Sequence, residues 1–327
     1  MKTRLSAMAL ASALLLGACA ADKEEEGAPT SNLSGSVAVD GSSTVAPISE
    51  AIAEEFQGAN PNVRVTVGIA GTGGGFKRFC ADETDIADAS RPITDAEKAA
   101  CQTAAIEWVE LPVAWDGLSV VVNPANDFAD CLTVEELKKI WEPNSTVTSW
   151  RDVRSDFPAQ PIKLYGPGTD SGTFDYFTEV VVGKAKSSRP DYQASEDDNV
   201  LVQGVAGDHY ALGYFGHAYV QQNTDKVKPI GVDGGAGCVT ATDQTITDKT
   251  YTPLSRPLFL YVKKAALARS EVKEFVRFYM DNAASVVPST GYLALDASQY
   301  QQNVQALEGG AAAAPAPADS AAEPAPR

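Results

Sequence analysis

The sequence predicts an α/β protein with largely parallel sheets, and three observations carry that expectation. Strand-like alternation and helix-like periodicity succeed one another along the chain. Three expected strand-to-helix loops are rich in glycine, serine and threonine: Gly41–Thr44, Gly71–Gly75 and Gly168–Thr173. The chain has 327 residues, 44% of them apolar, which suffices for sizeable cores in about two domains of roughly 150 residues.

The elements follow in order. Residues 36–40 (SVAVD) alternate as a strand does and run into the first loop. Pro47 then stands where a helix begins, with Ile48, Ala51, Ile52 and Phe56 on one face. Residues 63–69 place Val63, Val65, Val67 and Ile69 inward and end in the second loop, after which Phe76–Phe79 opens another helix. Further strands are expected at 107–113, 118–122, 162–165 and 257–262. Further helices are expected at 134–141, behind the capping pair Thr133 and Glu136, at 173–182, and at 271–282 after Ser270. Strands alternating with helices are the pattern of parallel α/β layers.

The two ends read differently. Lys2 and Arg4 precede a short apolar run to Leu16, a secretory signal too short to span a bilayer. The quartet Leu16-Gly17-Ala18-Cys19 resembles the lipobox of bacterial lipoproteins, which implies cleavage of residues 1–18 and lipidation of Cys19. Residues 19–35 are polar and aperiodic, a flexible tether, and 308–327 form an Ala/Pro-rich tail expected to stay disordered. Four cysteines remain, Cys80, Cys101, Cys131 and Cys238. An even count in an exported chain points to disulfides, in any of three pairings; with no C-x-x-C pair, a zinc site is the weaker reading.

Charge and motif exclude several functions. A formal charge of −17 repels nucleic acid. From Gly71 the P-loop pattern fails at Phe76, the dinucleotide fingerprint fails at Ser171, and no G-x-S-x-G elbow surrounds Ser43 or Ser171. His217, one of two histidines, reads as a surface or packing residue rather than a base, and no cofactor is called for. The hydroxyl- and glycine-rich loops instead suit an oxyanion. Glycine lets backbone N–H groups approach closely, and a following helix start adds free donors. One such loop is no more than a helix cap; three in one chain suggest convergence.

The motifs DGSSTVAP (40–47), GTGGGFKRF (71–79), DIADASRPIT (85–94), GPGTDSGTFDYFTE (166–179) and LGYFGHAY (212–219) resemble the phosphate-binding proteins of bacterial phosphate ABC transporters. The resemblance covers about residues 36–307 and implies a two-lobed periplasmic-binding-protein-like fold of type II, with a hinge between the lobes. Lobe I would comprise 36–113 plus 254–307, and lobe II 114–253. That division puts Cys80 with Cys101 and Cys131 with Cys238, since a bridge across the cleft would lock the hinge. The implied protein is non-enzymatic and monomeric. It would sit lipid-anchored in the periplasm or at the cell surface and pass inorganic phosphate to a membrane permease.

Position by position, the resemblance implies phosphate contacts from Ser43, Thr44 and Val45 in the first loop, Thr72 in the second, and Ser171, Gly172 and Thr173 in the last. Two positions depart from the family pattern. Ser90 stands where an aspartate often accepts the phosphate proton, and the arginine often found before Ser-Gly-Thr is missing from Gly166–Thr169. Arg91 is the expected substitute guanidinium, and Asp116 the expected acceptor, in competition with Asp40, Asp88 and Asp170. Such an acceptor would welcome the proton that phosphate keeps at neutral pH and repel sulfate, which has none. Sulfate or molybdate binding, a phosphatase-like hydrolase and an adhesin or signalling accessory are the alternatives.

Overall fold

The structure is a computed structural model that describes residues 32–309 except Asp170 and Glu196. The leader, Cys19, most of the tether and residues 310–327 lie outside the described residues, as does Asp170. A ten-stranded sheet organises the rest. Its principal strands are β1 (Gly35–Gly41), β2 (Val63–Gly68), β3 (Ile86–Ala89), β4 (Trp108–Val122), β5 (Lys163–Pro167), β6 (Gln193–Ser195), β7 (Ala211–Gly216) and β8 (Ser255–Lys263). They lie in the order β2-β1-β3-β8-β4-β7-β5-β6.

Within that order, β1, β2 and β3 are mutually parallel, and so are β5, β6 and β7. Strand β4 joins the two groups: its first part pairs antiparallel with β8, through Ser255 opposite Gly117. Its last five residues pair antiparallel with β7, beginning with Leu118 opposite Gly216. The expected strands 107–113 and 118–122 are therefore one strand of 15 residues.

Helices flank this sheet: α1 (Ala46–Ala59), α2 (Thr72–Cys80), α3 (Asp95–Thr103), α4 (Val134–Trp141), α5 (Gly172–Phe177), α6 (Asp198–Gly207), α7 (Ser270–Val286) and α8 (Ala297–Gly309). Helix α1 buries Ile48, Ile52 and Phe56, as its periodicity requires, and Phe56 meets Phe275 of α7 edge-to-face at 5.3 Å. The Thr133–Glu136 capping box of α4 forms as read. Ser270 is the first residue of α7 rather than its cap. Helix α5 continues into a π-helical turn at Thr178–Val182, where the expected helix 173–182 widens. Helix α8 carries order to Gly309, past the expected boundary at 307.

Both disulfides pair as the resemblance implied. Cys80–Cys101 ties α2 to α3, and Cys131–Cys238 links the outer strands of a small three-stranded sheet. Among the described residues no helix is long and apolar enough to cross a membrane.

Candidate functional site

In parallel sheets the loops at the carboxyl ends of the strands share one rim, and ligand sites form there. The loops after β1, β2 and β3 leave one such rim, the loop after β5, which runs antiparallel to them, leaves the rim of the other group, and the two sides meet around a cavity of about 220 Å³. Its wall includes Ser42, Ser43 and Thr44 after β1, Gly71, Thr72 and Gly73 after β2, and Ser90 and Arg91 after β3. The opposite side supplies Gly172, Asp175 and Tyr176 of α5 and Glu179 of the π turn. Arg256, at the start of β8, completes it, because β8 runs antiparallel to β3 and its first residues overhang the rim.

Local bonding fixes each wall. Ser42 N–H donates to the Asp88 carbonyl at 2.9 Å, and Ser42 Oγ accepts from Thr44 N–H at 3.2 Å, which curls the first loop into α1. Thr72 Oγ1 accepts from Ser90 N–H at 3.2 Å and lies 3.1 Å from Ser90 Oγ, coupling the second and third loops. Gly71 adopts φ 74°, a left-handed conformation that side chains resist. Gly172 approaches Thr44 so closely that a Cβ there would stand 2.6 Å from Thr44 Oγ1.

Arg256 is the side chain that the sequence reading missed. Its guanidinium lies 3.6 Å from the Tyr176 ring centroid, its Nε donates to Asp116 Oδ2 at 3.1 Å, and its Nη2 donates to Thr44 Oγ1 at 3.1 Å. It faces Asp116 directly across the β4–β8 ladder. A planar fork held in this way has further donors to offer an oxyanion.

Of the expected contact residues, Ser43, Thr44, Thr72, Ser90, Arg91 and Gly172 come together at the cavity. Val45, Asp116, Ser171 and Thr173 are not among its lining residues. Val45 is buried, with its N–H bonded to Ser42 O, and Ser171 caps α5 by accepting from Thr173 N–H at 3.2 Å. Asp116 is 2% exposed and serves Arg256. Arg91 reaches the wall, but Glu97 takes both of its terminal nitrogens at 2.9 Å, so the expected guanidinium is already paired. Arg256 brings a second guanidinium to the cavity, because strand pairing carries it to the rim from far along the chain.

Carboxylates also border the site. Asp175 has one oxygen buried without a partner and the other 3.5 Å from Lys186 Nζ, and burial raises its pKa. Beneath the first loop, the Asp88 carboxyl is fully buried. Burial pushes it up to about 7, Asp40 and Glu50 add to the rise, and the nearby Ser49 hydroxyl opposes it. His217 lies outside the cavity as a packing residue, its Nδ1 3.0 Å from Ser119 Oγ and its Nε2 3.3 Å from Asp243 Oδ1.

Similarity to known proteins follows the same lines. The family model of the PBP superfamily domain matches residues 26–283. Protein SphX of Synechocystis sp. is 52% identical over 83% of this chain and 81% of its own length. Phosphate-binding protein PstS of Staphylococcus haemolyticus is 39% identical over 91% of this chain and 94% of its own. A crystal structure from Planctomyces limnophilus, described as that of a "possible phosphate binding protein", superposes with a TM-score of 0.82 at 52% identity, over 85% of this chain and 99% of that one. The chain therefore belongs to the PBP superfamily and, within it, to the family of SphX and the phosphate-binding protein PstS.

Proposed function

We propose that the chain is an extracytoplasmic solute-binding lipoprotein, anchored through Cys19, that captures inorganic phosphate between two lobes and delivers it to an ABC permease. One observation carries the reading. Serines and threonines from three separate loops, with the start of α5 opposite, share a single small cavity with the fork of Arg256, although the chain as a whole is strongly acidic. Such donors act at contact distance, whereas net charge acts at range and is screened by salt. Membership of the PstS family supports phosphate over other oxyanions.

Within this reading Asp175, rather than Asp116, accepts the proton of bound phosphate: it lines the cavity, and burial raises the pKa of its carboxyl. The lobes are the two parts of the sheet on either side of the Gly117–Leu118 step in β4. The protein acts as a monomer and without catalysis. The hydrolase alternative draws no support from the Ser119–His217–Asp243 chain, because the Ser119 hydroxyl is fully buried and out of reach of a substrate.

Titration calorimetry with phosphate, sulfate and molybdate at neutral pH tests the proposal. Phosphate should bind more tightly than either competitor. Thr44→Ala and Arg256→Gln should each weaken it by about ten- to a hundredfold, the loss of one charge-assisted hydrogen bond or more. Equal affinity for the three anions, or unchanged affinity in both variants, refutes it.

A further inference from the structure

Two chain segments connect the parts of the sheet, and they lie side by side. The first is β4 at Gly117–Leu118; the second leads into β8 at Leu254–Ser255, and Leu118 N–H donates to the Leu254 carbonyl at 2.9 Å. One residue further along this ladder, Asp116 and Arg256 are cross-strand partners. Asp116 is 2% exposed, Arg256 is 12% exposed, and their side chains meet at 3.1 Å. The guanidinium lines the cavity. It touches Thr44 on the side of β1 and lies over Tyr176 on the side of β5, and Tyr176 Oη in turn donates to Pro253 O at 2.7 Å beside the second connector.

We propose that Asp116 is a positioning residue: without touching the anion, it holds the Arg256 fork across the two connecting segments, so that the fork's remaining N–H groups point at the ligand and join both sides of the cleft. The inference rests on the phosphate reading above. A buried guanidinium that lost its carboxylate would turn toward other acceptors or toward solvent, and the anion would then have to reorganise it on binding. An acceptor of the phosphate proton and a holder of the arginine leave different marks. The acceptor sets the preference for phosphate over sulfate, whereas the holder sets affinity for both anions alike and acts only while the arginine is present.

The experiment is a double-mutant cycle on the full chain, with Asp116→Asn, Arg256→Gln and the double variant titrated with phosphate and with sulfate; circular dichroism checks the fold of each. Asp116→Asn should weaken phosphate about tenfold or more, keep the phosphate-to-sulfate ratio within about twofold, and add less than about twofold to Arg256→Gln. If Asp116→Asn fails to fold, Asp116→Glu replaces it in the cycle. Glutamate keeps the charge but shifts the carboxylate by one methylene, so it should lose affinity with the ratio intact and add less than about twofold to Arg256→Gln. A fall in the ratio, additive losses, or unchanged affinity in a folded variant overturns the positioning role alone. Wild-type protein that binds no phosphate overturns the phosphate reading with it.

Discussion

Replacing Asp88 with asparagine removes a carboxyl that folding buries completely. In the unfolded chain this acid titrates at its ordinary 3.8, and in the folded protein burial lifts it to about 7. Between those values the folded state binds a proton that the unfolded state has released. Stability from this group is therefore whole below 3.8 and is lost as pH rises through about 7. The full separation is worth about 4 kcal/mol at about 1.4 kcal/mol per pH unit, of which about 3 kcal/mol falls between pH 5 and pH 8. Asparagine does not titrate. Urea unfolding of wild type and Asp88→Asn at pH 5 and pH 8 should show the wild type losing about 3 kcal/mol more than the variant over that interval. The comparison of slopes cancels whatever the buried amide costs at both pH values. Parallel pH profiles in the two proteins would refute the reasoning, because they would mean that Asp88 is not buried as an acid between the loop after β1 and α1.

Further outcomes follow from the cleft and the bridges. Gly172→Ala would put a methyl group 2.6 Å from Thr44 Oγ1 and should lower phosphate affinity about tenfold or more; unchanged affinity by calorimetry would show that the two walls do not meet this closely around the ligand. Asp175→Asn should narrow the gap between phosphate and sulfate, read by competition at neutral pH, and an unaltered gap would remove Asp175 from the acceptor role. Loss of Cys131–Cys238, which closes 107 residues, should cost about 5 kcal/mol, against about 3 kcal/mol for the 21 residues of Cys80–Cys101. Denaturant midpoints of the paired Cys→Ala variants check that order, which reverses if native strain rather than loop closure dominates.

Much of this site was legible in the chain because its chemistry is local. Thr44, Thr72 and Gly172 each lie in a loop whose glycine and hydroxyl content marks it, whereas Ser90 is reached only through the family resemblance; the alternation at 36–40 and 63–69 marks the strands that carry two of those loops, although Ile69 lies beyond the second strand and is exposed rather than inward. Arg256 was not legible. It lies 140 residues from Asp116 and 212 from Thr44, and its sequence neighbours carry no signal of a site. Only the β4–β8 register brings it to the rim. The same register gives Asp116 a partner that its own stretch of sequence does not show, since Arg256 lies opposite it. Strand β4 was divided for a related reason. Trp115, Asp116 and Gly117 break the apolar alternation, yet the backbone ladder continues through them, opposite Pro257, Arg256 and Ser255. Strand β3 escaped notice since its four buried residues, IADA, are too short to show a period.

The unbroken run of β4 through both groups of strands has a mechanical corollary. A ribbon whose ladder bonds persist on either side of Gly117 resists being pulled apart or sheared. If the two groups of strands move as the lobes proposed above, that ribbon is the line they share. Displacement would vanish near the shared ribbon and grow toward β2 and β6 at the outer margins, so reporter dyes placed on those margins would register the greatest change.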